Sequence, residues 1–150
     1  MGLGTHLAMS KYAKLCREFV SAYLQRSWTP ADGLSEKEVR RAELRLGVRL
    51  PSALRDFYLS VGAVADLCSI HNTILPPKDL SFEEGYLMFM EENQSVVSWG
   101  IKRKDLRKPN PEVWQRNNSF EKWYSEEKGL IQLLTSMFDW YKELGVWGAK

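Results

Sequence analysis

Apolar residues along this chain follow two rhythms. Near the N-terminus Tyr12, Leu15, Cys16, Phe19 and Tyr23 recur at three- and four-residue steps, which puts them on one face of a helix. Trp28-Thr29-Pro30 and Gly33 then break the pattern. A second helix is framed by Ser35 and Glu38, a capping box in which each side chain satisfies the other residue's free backbone N–H. Leu34 and Val39 are spaced as a hydrophobic staple over it; Val39, Ala42 and Leu46 form its buried stripe, and Gly47 stops it. Pro51 opens a third helix with Leu54, Phe57, Tyr58 and Val61 on its apolar face and Gly62 at its end. The widest stripe belongs to a last helix, through Leu130, Leu133, Leu134, Met137, Phe138, Tyr141 and Leu144, before Gly145.

Between the third and last helices the period shortens to two. Ser69–Leu75 reads as a strand stopped by Pro76-Pro77, although residues 63–83 are the least legible stretch. Tyr86–Met90 and Val96–Ile101 are apolar runs joined by the polar segment Glu91–Ser95, the pattern of a hairpin. Val97, Trp99 and Ile101 alternate with Ser98 and Gly100, which predicts one buried face. Glu112–Arg116 and Phe120–Tyr124 are shorter strands separated by Asn117-Asn118. Helices, then an antiparallel meander, then a closing helix give an α+β fold of about four helices, with residues 1–150 as a single domain.

Composition narrows the class. Hydrophobic residues make up 44% and charged residues 27%, so the chain has a globular rather than a disordered balance. The net charge of +2 is local in origin: Ile101–Lys108 carries five basic residues against Asp105, and the rest of the chain is slightly acidic. Two cysteines, Cys16 and Cys68, are too few for a disulfide framework and point to a reducing cytoplasmic compartment. No apolar window approaches the ~20 residues of a membrane span, Met1–Arg26 lacks a secretory pattern, and His6 breaks the myristoylation pattern in MGLGTH.

Catalytic apparatus is not visible. Cys68 and His71, with His6 distant, read as a buried thiol beside a strand histidine rather than as half a zinc site or a Cys–His nucleophile pair. No glycine-rich loop resembles a phosphate-binding motif. The acidic pairs Glu83-Glu84, Glu91-Glu92 and Glu126-Glu127 are adjacent in sequence, and neighbours on a strand point to opposite faces. These residues predict no enzyme, no metal site and no cofactor. The basic stripe between Trp99 and Trp114 has the ingredients of a single-strand nucleic-acid site. Contact with an acidic protein surface, where such charge speeds association, is the better expectation for it.

The motifs resemble one family. Leu34-Ser35-Glu36-x-Glu38 leads into Glu43-Leu44-x-Leu46-Gly47-x-x-Leu50-Pro51, then Leu54-Arg55-x-Phe57-Tyr58 and Gly62. Phe89-x-Glu91-Glu92-Asn93-Gln94-x-Val96-Val97-x-Trp99-Gly100-Ile101 follows, with Pro111-x-Val113-Trp114, Trp123 and Leu130-x-x-Leu133-Leu134-x-x-Met137. Together they cover about residues 34–144 and resemble the SUKH superfamily, although Ala63 stands where many members have a second glycine. The resemblance implies a non-enzymatic α+β domain with an antiparallel sheet. Many bacterial members are similar to immunity proteins that bind a cognate protein toxin, often a nuclease, and occlude its active surface. The absence of an acidic run speaks against a nuclease as the partner here. The alternatives are a regulatory or scaffolding module on the same fold, or a nucleic-acid binder acting through residues 101–108.

Loops carry recognition, so Glu91, Glu92, Asn93 and Gln94 at the hairpin tip are the first candidate contacts, with Arg103 and Lys104 as a second patch. Asn93 and Gln94 equally suit a turn-forming role, and Glu43 suits either an inward hydrogen bond or a surface charge. A hairpin edge or the aromatic last helix offers a surface for a homodimer.

Overall fold

The computed structural model describes residues 9–148; His6 and the MGLGTH segment lie outside them. Helix α1 (Lys11–Leu24) starts where Ser10 Oγ accepts the Ala13 N–H at 3.1 Å. Its buried stripe runs through Cys16, Phe19, Val20 and Tyr23. Leu15, expected on that face, is 41% exposed, because the 3.6-residue period leaves it at the rim of the stripe. Helix α2 (Glu36–Leu46) has both halves of the Ser35–Glu38 box and ends at Gly47 in the left-handed region (φ 73°). Helix α3 (Ser52–Val61) has Pro51 just outside its first turn, as the cap residue.

The stretch 63–83 holds four short elements: helix α4 (Ala65–Cys68), strand β1 (Asn72–Ile74), a 3-10 turn (Pro77–Asp79) and strand β2 (Ser81–Glu83). The strand expected over Ser69–Leu75 is shorter than the pattern suggests. The chain folds back on itself so that Ser69 bridges to Thr73 of β1 instead of continuing the strand. Strands β3 (Tyr86–Glu92) and β4 (Val97–Lys102) form the expected hairpin, followed by β5 (Glu112–Asn117), β6 (Lys122–Gly129) and helix α5 (Leu130–Glu143). The β6 strand lies later than the expected Phe120–Tyr124, because residues 118–121 form the turn.

All strand pairs are antiparallel, in the order β1-β3-β4-β5-β6, with β2 also on β3. The core lies between the helices and one face of this sheet, joining Leu87, Trp99, Ile101 and Val113 to Phe19, Phe57 and Phe138. A register shift between Met88 and Met90 lets the consecutive residues Phe89 and Met90 both enter that core.

The opposite face of the sheet is also covered, which the alternating pattern of β4 did not predict. Ser98 (3% exposed) and Gly100 are buried there. The sheet curls so that Tyr86 on β3 stacks on Trp123 on β6, at 3.6 Å and 9°. Lys102 Nζ lies 4.1 Å from the Trp114 ring centroid, and Arg116 reaches Glu83 at 2.9 Å. A side chain at Gly100 would press on the Tyr86 Cβ at 3.0 Å and on Met88 Sδ at 3.2 Å, so glycine is what lets Tyr86 cross the sheet. Among the described residues no helix is long and apolar enough to cross a membrane.

Candidate partner-binding site

Two hairpin tips meet at one end of the sheet. In the β3–β4 tip, Ser95 adopts φ 60°, its N–H donates to Glu92 O, and the Val96 N–H donates to Glu92 Oε1 at 3.0 Å. Glu92 therefore shapes the turn, and the Asn93 N–H is fixed on His71 O at 2.8 Å. Glu91 is half-buried on β3, while the side chains of Asn93 and Gln94 are exposed. In the β5–β6 tip, Asn117 Oδ1 accepts the Ser119 and Phe120 N–H groups, a local bond that tightens the turn.

Asn118 ties the tips together. Its backbone N–H donates to Val96 O at 2.9 Å, and its Nδ2 donates to Ser95 O at 2.7 Å and Ser98 Oγ at 3.0 Å. The result is a firm double turn that leaves Phe120 76% and Val96 45% exposed. Large apolar side chains held out by hydrogen-bonded turns are the material of an interface anchor. The sequence pattern puts both at strand starts, Val96 in Val96–Ile101 and Phe120 in Phe120–Tyr124, whereas β4 begins at Val97 and β6 at Lys122. The turn-forming run Asn117-Asn118-Ser119 is the signal that would have put it at a tip.

Arg103 and Lys104 lie elsewhere. β4 separates them from the tip by its full length, roughly 17 Å at about 3.3 Å per residue. The structure thus does not unite the two candidate patches. Nor is the basic stripe one solvated connector. Lys102 covers Trp114, Arg103 stacks on Phe82 at 4.2 Å, and Lys108 pairs with the buried Asp105 at 3.3 Å. Trp99 faces the core and donates from Nε1 to Glu126, so it offers no stacking face beside these charges.

The other chemical candidates resolve into packing. Cys68 is 8% exposed, its thiol turned to the carbonyls of Val61 and Gly62, and burial raises it to about 12. His71 packs on the Tyr141 ring at 5.5 Å. Among the described residues no three His, Cys, Asp or Glu side chains gather as a metal site.

Glu43 points inward. It is 1% exposed and accepts from the Leu50 N–H at 2.8 Å, Arg55 Nε at 3.1 Å and Arg40 Nη1 at 3.4 Å. Burial pushes its carboxyl up, but the Leu50 amide and the Arg55 and Arg40 guanidinium groups outweigh that and hold it below the ordinary carboxylate value.

The sequence matches the SMI1 / KNR4 family (SUKH-1) model over residues 33–141, a span holding the whole sheet and the α2–α3 junction that Glu43 braces. No curated protein and no solved structure matches the chain. With the antiparallel sheet, the junction and most of the closing helix inside the matched span, the chain belongs to the SMI1 / KNR4 family (SUKH-1).

Proposed function

We propose that this protein is an immunity-type binder that neutralises a cognate protein toxin by covering its active surface, with the paired hairpin tips as its anchor. The observation that carries the reading is the exposure of Phe120 on a turn that Asn118 locks to its neighbour. An anchor that is rigid before binding loses little freedom on association, so more of its buried area counts towards affinity. Val96, Glu91, Asn93 and Gln94 surround Phe120 in this reading as its polar and apolar rim, and the interface has ordinary size, on the order of 1,600 Å². Membership of a family that includes immunity-type proteins is its second support.

The test is a pull-down from native lysate with tagged wild-type protein and with Phe120→Ala, at low and moderate salt. One dominant protein should survive moderate salt, be toxic when expressed alone, and be tolerated when co-expressed with this chain. Phe120→Ala should weaken that complex by about 2 kcal/mol, roughly thirtyfold in Kd, with unchanged thermal stability. Equal retention by the variant removes the tips from the interface. A scatter of weakly held, harmless proteins replaces the immunity reading with a scaffolding module.

A further inference from the structure

At the far end of the sheet, the turn after α2 and the segment after β4 enclose a cleft of about 470 Å³ lined by Gly47, Val48, Arg49, Arg103, Leu106 and Arg107. Leu106, 5% exposed, gives it an apolar floor. Its charged lining is three arginines and no carboxylate. Asp105, the nearest acid in sequence, is buried and turned to Lys108. None of the three guanidinium groups is ion-paired with another described residue, whereas Arg26, Arg40, Arg55 and Arg116 all are. Arg103 is also held in place, its guanidinium lying on the Phe82 ring and its backbone N–H on Gly85 O.

We propose that this cleft binds a pyrophosphate-type oxyanion. Three like charges lining one cleft repel one another, and an anion bound among them removes that repulsion. Arginine presents a planar fork of donors that fits phosphate oxygens two at a time, so three of them serve a ligand with many oxygens and several charges. A single carboxylate from a partner protein would leave two of the three charges uncompensated. The cleft's volume falls in the range of small-molecule sites, roughly 300–1,000 Å³, ample for a diphosphate group with room beside it.

The inference stands apart from the toxin-binding reading, and its test uses the protein alone. Titration of the full chain with inorganic pyrophosphate, followed by calorimetry, should give saturable binding that weakens with salt. Arg103→Gln and Arg107→Gln should each reduce affinity about tenfold or more, the loss of one charge-assisted contact, while circular dichroism and melting stay unchanged. Phe120→Ala should bind pyrophosphate as the wild type does, so failure of either proposal is distinguishable from failure of the other. An ADP arm separates two sources of the same chemistry: equal affinity means a free polyphosphate, tighter binding means a nucleotide. No binding at about millimolar pyrophosphate, or binding unaltered by both substitutions, overturns the proposal. Tighter binding of an acidic peptide or a single-stranded oligonucleotide than of pyrophosphate overturns it as well.

Discussion

Glu43 concentrates the electrostatics of the fold in one residue. Its side chain has no exposed surface, yet it is ionised because the Leu50 amide, Arg55 and Arg40 converge on it. Arg55 also pairs with Glu36, so one carboxylate locks the α2–α3 turn to both helices. Glu43→Gln should destabilise the protein by about 3 kcal/mol at pH 7, read from urea unfolding midpoints, since it removes the buried charge that Arg55, Arg40 and the Leu50 N–H share and sets an amide NH2 against those donors. The pH dependence has a fixed sign. The carboxyl is depressed on folding, so its stabilisation is complete above the unfolded value of about 4.3 and is lost as pH falls through the lower folded value. The gap between wild type and variant should therefore close in acid. Helical spacing put Glu43 beside the buried stripe but left its direction open. The groups that decide it, the Leu50 N–H and Arg55, belong to a different element.

At the scale of elements, patterning placed both α2 and α5, but it showed what caps a helix only where the capping groups are local. The Ser35–Glu38 box and the Gly47 stop fixed α2 because every group involved is local. Helix α5 has Gly129 at its cap position and no side-chain cap of its own. Its free N–H groups are taken by the segment before β5: Leu130 donates to Pro111 O at 3.0 Å, and Ile131 donates to Asn110 Oδ1 at 2.9 Å. The same segment accepts the Ala53 N–H of α3 on Pro109 O at 2.8 Å. Residues 109–111 thus clip two helix starts together, and no single-window pattern reveals it. Asn110→Ala should cost about 1 kcal/mol, the usual worth of a cap, and lower Tm by about 2–4 °C in calorimetry. Residues 63–83 were illegible for a related reason. Three- and four-residue elements are too short to express a period, and their geometry is dictated by β3 and Tyr141.

Across the whole molecule, the meander places its turns at opposite ends, and the two candidate sites inherit that separation. The tip residues Glu91 to Gln94 were legible as a loop, but Phe120 entered the site only through pairing of two turns 20-odd positions apart in sequence. Arg103 was visible within a basic run; that Arg49 lines the same cleft was not, since the two lie on different elements. Because the sites share no side chain, their effects should be independent. Combining Phe120→Ala with Arg103→Gln should give a change in partner affinity equal to the sum of the single changes within about 0.5 kcal/mol, measured by a double-mutant cycle. The two cysteines add a practical consequence. Cys16 and Cys68 are both buried free thiols, each held protonated by burial, so neither offers a thiolate to an alkylating dye. A cysteine introduced at Ser119, on the exposed tip, becomes the one site a maleimide fluorophore reaches on the folded chain, and its emission then reports arrival of a partner at that end of the molecule alone.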